Sequence, residues 1–116
     1  MDVPEAIRDS WCALTAERPE RWMPENPARL QCSATAIVVR SLLGGDVLIA
    51  PVTRDGEPAG LHAWNRLPDG SELDLTAEQF RHGETIGSPE MREPARGWIG
   101  AALLEARVRR RLAVFA

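Results

Sequence analysis

The chain has 116 residues, of which 44% are hydrophobic and 27% charged, with a net charge of −3; these values suit a single folded domain over residues 1–116 and exclude disorder as the default. The mildly acidic balance gives no electrostatic footprint for nucleic acid, and no apolar run approaches membrane-spanning length. All 14 Lys or Arg positions are arginine, so lysine Schiff-base chemistry and a Ser-Lys dyad are excluded.

Asp2 is placed to cap a helix that Pro4 opens and that runs to about residue 15. Ile7, Trp11 and Leu14 share one face, the expected buried side. Residues 18–27 hold three prolines and read as irregular chain anchored by Trp22. Residues 31–45 read as a helix stopped by the pair Gly44-Gly45. Residues 46–52 read as a strand, with Pro51 near its end or on an edge. Asp55-Gly56 is the expected apex of the next turn. Residues 60–67 and 71–75 read as a hairpin. Thr76-Ala77-Glu78-Gln79 matches a capping box, which predicts a short helix with Phe80 on its buried side. Residues 81–93 read as loop. A last helix is expected over residues 94–114, with Trp98, Ala102, Leu103, Val108 and Leu112 on its core face.

Three of these elements carry residues with chemistry. Cys32 falls in the first turn of its helix, where unpaired N–H groups and a partial positive charge favour a thiolate. Strand alternation points His62, Trp64 and Arg66 to one side and Asn65 to the other. Pro68-Asp69-Gly70 suits a three-residue hairpin loop with a glycine bulge. In that register Leu67 faces Ser71, Trp64 faces Asp74, and His62 and Asp74 are diagonal neighbours on one face, about 7–8 Å apart at the backbone. A two-residue loop would separate them. A cysteine, a histidine and an aspartate so placed are the parts of a thiol-nucleophile site. Gln31 is a candidate oxyanion donor beside the Cys32 N–H, and Trp64 a candidate pocket wall.

Each residue also has a purely structural reading. Cys32 can be a small apolar residue packed at a helix start. His62 can be a strand histidine bonded to the backbone. Asp74 can cap the turn before Thr76. Gln31 can be a solvated helix-start side chain, and Trp64 core. Cys12 reads as a buried structural thiol on the first helix. No metal spacing is recognisable among Cys12, Cys32, His62 and His82, and no metal or organic cofactor is required. The arginine-rich residues 107–111 suit the end of a helix dipole, or else an acidic partner. Two cysteines and the absence of a secretory pattern at the start point to a reducing, cytoplasmic setting.

The combination of Gln31-Cys32, Leu43-Gly44-Gly45, His62-Ala63-Trp64-Asn65, Leu67-Pro68-Asp69-Gly70 and Asp74-Leu75-Thr76 resembles the YunG-like family of small bacterial proteins, over a stretch from about Trp11 to Phe80. The order of elements in that family is similar to the papain-like core shared by transglutaminases and cell-wall peptide hydrolases. The resemblance implies an α+β fold with a papain-like core, the nucleophile helix packed on a small antiparallel sheet with flanking terminal helices. It also gives Cys32, His62 and Asp74 the roles of nucleophile, base and orienting acid. The chain departs from the family pattern at Leu30, where a glycine usually precedes Gln-Cys, and at Ala63, where an aromatic usually follows the histidine. The first change narrows access to Cys32 and the second opens a wall beside the histidine. The expected activity is thiol-dependent acyl transfer or amide hydrolysis on an unknown peptide or amide, in a shallow cleft or one that a protein partner completes. The alternative is a silent binding module acting through protein–protein contact. Fold-level analogy alone does not fix a reaction.

Overall fold

The computed structural model describes residues 1–114. It is an α+β fold of three helices and a curled antiparallel sheet. Among the described residues no helix is long and apolar enough to cross a membrane.

Helix α1 spans Val3–Ser10, with Pro4 in its first turn and the Asp2 carboxylate accepting from the Glu5 N–H at 2.8 Å. It ends well before residue 15. Thr15 takes over the local backbone groups: its hydroxyl oxygen accepts from the Cys12 N–H at 3.0 Å, and Ala13–Thr15 form a single 3-10 turn. Side-chain competition of this kind interrupts a helix. Leu14 therefore leaves the buried face and is 67% exposed, while Ser10 is buried in its stead. Cys12 lies after the helix, half-buried, not on it.

Helix α2 spans Cys32–Leu43 and ends at Gly44, whose φ of +80° and N–H bond to Arg40 O close the last turn. One side packs with Ile7, Trp11, Leu104 and Val108 of the helical layer. The other carries Cys32 and Ala36 onto Val47, Ile49 and Ala63 of the sheet. The Trp11 indole donates to Thr35 Oγ1 at 2.9 Å, which satisfies a buried N–H.

The sheet has the order β3-β2-β1-β4, with a further short strand, β5, also on β1. Strands β1 (Asp46–Arg54) and β2 (Glu57–Arg66) pair across Asp55-Gly56. Both turn residues have positive φ (53° and 78°), as a tight two-residue hairpin requires. Pro51 sits exposed at a shift in the β1–β2 register, where a missing N–H is tolerated. Strand β3 (Glu72–Leu73) pairs as Arg66↔Glu72 and Asn65↔Leu73. The Leu67 N–H donates to Ser71 O at 2.7 Å, and Gly70 has φ +88°. This is the bulged register that brings His62 and Asp74 to one face.

Two expectations fail along the rest of the chain. Residues 81–93 are not wholly loop: β4 (Thr85–Ile86) and β5 (Glu90–Met91) both pair with β1. Two-residue strands are too short to show alternation. Helix α3 spans Trp98–Val114 and buries Gly100, Ala101, Leu104 and Val108. Trp98 is instead 49% exposed, Ala102 is exposed and Leu103 half-buried. The cause is close backbone approach. A Cβ on Gly100 would lie 2.5 Å from Thr15 O, so Gly100 sets which face turns inward, and Leu104 and Val108 follow it into the core while Trp98 and Ala102 do not.

Candidate active site

His62 is 1% exposed. Its Nε2 lies 2.7 Å from Asp74 Oδ2. The Trp64 ring stacks on one side of it at 5.3 Å between centroids, and Phe80 meets it edge-on at 4.8 Å. Phe80 follows a single 3-10 turn, Ala77–Gln79, and not the short helix that the capping pattern predicts. There the Thr76 hydroxyl is taken by the Gln79 side chain at 3.1 Å instead of capping a backbone N–H. Asp74 fulfils both of its readings at once: Oδ2 faces the imidazole while Oδ1 accepts from the Thr76 N–H at 3.3 Å. A carboxylate held from two sides cannot swing away from the ring.

With Nε2 committed to Asp74, Nδ1 is the nitrogen left for other chemistry. It is buried and has no hydrogen-bond partner. Cys32 is close enough to act on the ring. Burial, the largest single influence, pushes the His62 pKa down. The hydrogen bond to Asp74, the proximity of Cys32 and the charges of both outweigh it and raise the pKa from 6.5 to about 9. The imidazole is therefore protonated at neutral pH. Cys32 is the first residue of α2 and is 6% exposed. It packs among apolar neighbours on one side and lines a cavity of about 310 Å³ on the other.

The remaining candidates divide. Trp64 is 8% exposed. It stacks on the imidazole, and its indole donates to Glu72 Oε1 at 2.6 Å. Gln31 is fully buried, which overturns the solvated reading. Its Oε1 accepts from the Thr15 hydroxyl at 2.8 Å and its Nε2 donates to Cys12 O at 2.9 Å, so it ties the 12–15 turn to the start of α2. Asn65 points away from His62, as expected, and its Nδ2 donates to Ala36 O at 2.9 Å. Phe80, expected only as a core side chain, is part of the imidazole's housing. Four arginines around the Cys32 cavity had no signal in the sequence, because they are scattered singly along it.

Leu30 explains one departure from the expected pattern. Its φ is +65°, in the left-handed region where glycine is at home and other residues are strained. Its half-buried side chain lines the Cys32 cavity. Leu30→Gly is expected to change stability by less than about 1 kcal/mol, because relief of strain is offset by the freer unfolded chain. It should also speed alkylation of Cys32. Leu30→Val should lose about 2 kcal/mol, since a β-branched residue fits that region worst. Thermal melts and thiol labelling of the two variants check this.

The family comparison covers more of the chain than the motifs do. A family model described as YunG protein matches residues 1–113, and the chain belongs to that family. No curated protein and no solved structure matches it.

Proposed function

We propose that this YunG-family protein is a thiol-dependent acyl transferase or amide hydrolase, built on a papain-like core, with Cys32 as nucleophile, His62 as proton carrier and Asp74 as its orienting acid. The observation that carries the reading is the imidazole itself. It is buried and bonded through Nε2 to a carboxylate, its Nδ1 has no hydrogen-bond partner, and Cys32, which helps to raise its pKa, lines a cavity. A structural histidine buried this deeply would have both nitrogens satisfied.

In the proposed cycle the Cys32 proton resides on Nδ1, giving a thiolate beside an imidazolium. Asp74 accepts from Nε2–H, fixes the tautomer and stabilises the positive ring. The sulfur adds to the substrate carbonyl carbon. The bond to the leaving nitrogen then breaks as Nδ1–H protonates that nitrogen. Water, or an acceptor amine in a transferase, attacks the thioester, gives its proton back to Nδ1 and frees the thiolate. The Cys32 N–H at the helix start is suited to the oxyanion. Gln31 supports that position through the 12–15 turn, and its second amide hydrogen is the further candidate donor. No cofactor enters this scheme. A reducing compartment such as the cytoplasm would keep the thiol usable.

A second reading, a silent binding module, draws on the low exposure of Cys32 and its apolar packing. Iodoacetamide labelling of the native protein separates the two. The enzyme reading expects Cys32 to alkylate at pH 6 about 10- to 100-fold faster than an ordinary free thiol, because the ion pair keeps it a thiolate. His62→Gln, with its fold verified by circular dichroism, should remove that advantage. Labelling of Cys32 only after unfolding would overturn the enzyme reading.

A further inference from the structure

Two cavities meet beside the Cys32–His62 couple. One, of about 310 Å³, is lined by Cys32; the other, of about 450 Å³, is lined by His62; Glu17, Gly60 and Leu61 border both. Leu61 is 57% exposed and forms the ridge between them.

The two cavities differ in charge. The Cys32 side gathers Arg18, Arg21, Arg29 and Arg54 from three separate stretches of a chain whose net charge is negative. No ion pair joins any of these four to an acid among the described residues. The two glutamates on that side are engaged elsewhere. Glu17 pairs with Arg96 at 3.6 Å, and Glu84 Oε1 accepts from the His82 N–H at 2.8 Å. On the His62 side the charges balance in number, with Arg92 and Arg96 against Glu17 and Glu93: Arg96 meets Glu17, and Glu93 takes a two-pronged bond at 2.6 and 3.0 Å from Arg40, outside the lining. A concave site with four cations against two anions raises the local concentration of negatively charged solutes. Arginine also suits carboxylate and phosphate oxygens by its shape.

Resting on the thiol reading above, we propose that the Cys32-side cavity receives the acyl portion of a substrate bearing an anionic group, a carboxylate or a phosphate, while an uncharged leaving group occupies the His62-side cavity. The direction agrees with the chemistry: the acyl group must end on sulfur, and the departing nitrogen must lie where the imidazolium can protonate it.

Two alkylating reagents of one size and opposite character test this. For an ordinary thiolate, anionic iodoacetate is slower than neutral iodoacetamide because like charges repel. Here iodoacetate should be the faster at low salt, by about tenfold, and the preference should fade as salt is added. Arg29→Gln and Arg54→Gln, both at exposed side chains, should each slow iodoacetate more than iodoacetamide and so lower the ratio of the two rates. Succinate and inorganic phosphate, added as protectants against iodoacetamide, identify which anion the site takes. If iodoacetamide reacts readily but iodoacetate is slower and neither variant alters the ratio, the anionic site is refuted while the thiol reading stands. If neither reagent labels native Cys32, it is the thiol reading that fails.

Discussion

Replacing Asp74 with alanine is expected to destabilise the protein by about 2–3 kcal/mol at pH 7 and to slow Cys32 alkylation at pH 6 by about a hundredfold. The first figure is that of a buried ionic hydrogen bond losing one partner, reduced because the Asp74 side chain is 29% exposed. The imidazole stays buried and would have both nitrogens unsatisfied. The second follows from losing the group that keeps the ring positive and correctly turned. The pH dependence has a definite sign. The His62 pKa is raised in the folded state, from 6.5 to about 9. Its contribution is therefore complete below pH 6.5 and is lost as pH rises through 9. Urea denaturation at pH 6, 7.5 and 9.5 should show the gap between wild type and variant wide, then narrowing. A gap that does not move with pH would mean that the pair is not ionic. Asp74→Asn keeps a polar partner and the turn bond to Thr76, so it should recover part of the stability and little of the reactivity.

Gly45→Ala is expected to cost about 3–5 kcal/mol, a large share of the stability of a domain of this size. A Cβ there would stand 2.1 Å from Arg66 O and 3.0 Å from the Leu67 Cα. Both are backbone atoms in the hairpin that carries His62, and neither can step aside. Residue 45 also has φ +85°, which adds its own strain. Gly70→Ala isolates the second effect. Its φ is +88°, but nothing lies within 4 Å of the added carbon, so the loss should be about 1 kcal/mol. Equilibrium unfolding of the two variants side by side separates steric exclusion from backbone strain. Equal losses would contradict the close approach between the end of α2 and the hairpin.

The site was more legible than the helical layer, and the reason is local chemistry. The register that unites His62 and Asp74 follows from Pro68, Asp69 and Gly70, three residues whose backbone preferences leave little choice. The end of α2 follows from Gly44 in the same way. Helix α3 was misread because its contact face is chosen by Gly100 against the backbone of Thr15, a contact between residues far apart in sequence. The early end of α1 depends on a hydroxyl five residues on, that of Thr15, and that hydroxyl is itself held by Gln31. Strands β4 and β5 exist only because β1 offers them an edge. The cavities were invisible for the same reason: Arg18, Arg29 and Arg54 converge only after the sheet curls.

The stretch from residue 85 to 96, whose residues 92–96 line the His62-side cavity, is held by shorter strand pairings than the elements opposite it. Two ladders of two residues each, backbone bonds from Gly87 and Arg92 to β1, and the ion pairs Arg40–Glu93 and Arg96–Glu17 hold it to the body. Such fastenings release at free energies far below that of global unfolding. His62 and Asp74 hang on the long β1–β2 pairing and the bulged hairpin, which do not release with them. Native-state hydrogen exchange should therefore be faster at residues 85–96 than in the β1–β2 pairing. Under the proposed function, a leaving segment bulkier than the resting cavity would gain room on the side of residues 92–96, away from the imidazole–carboxylate couple.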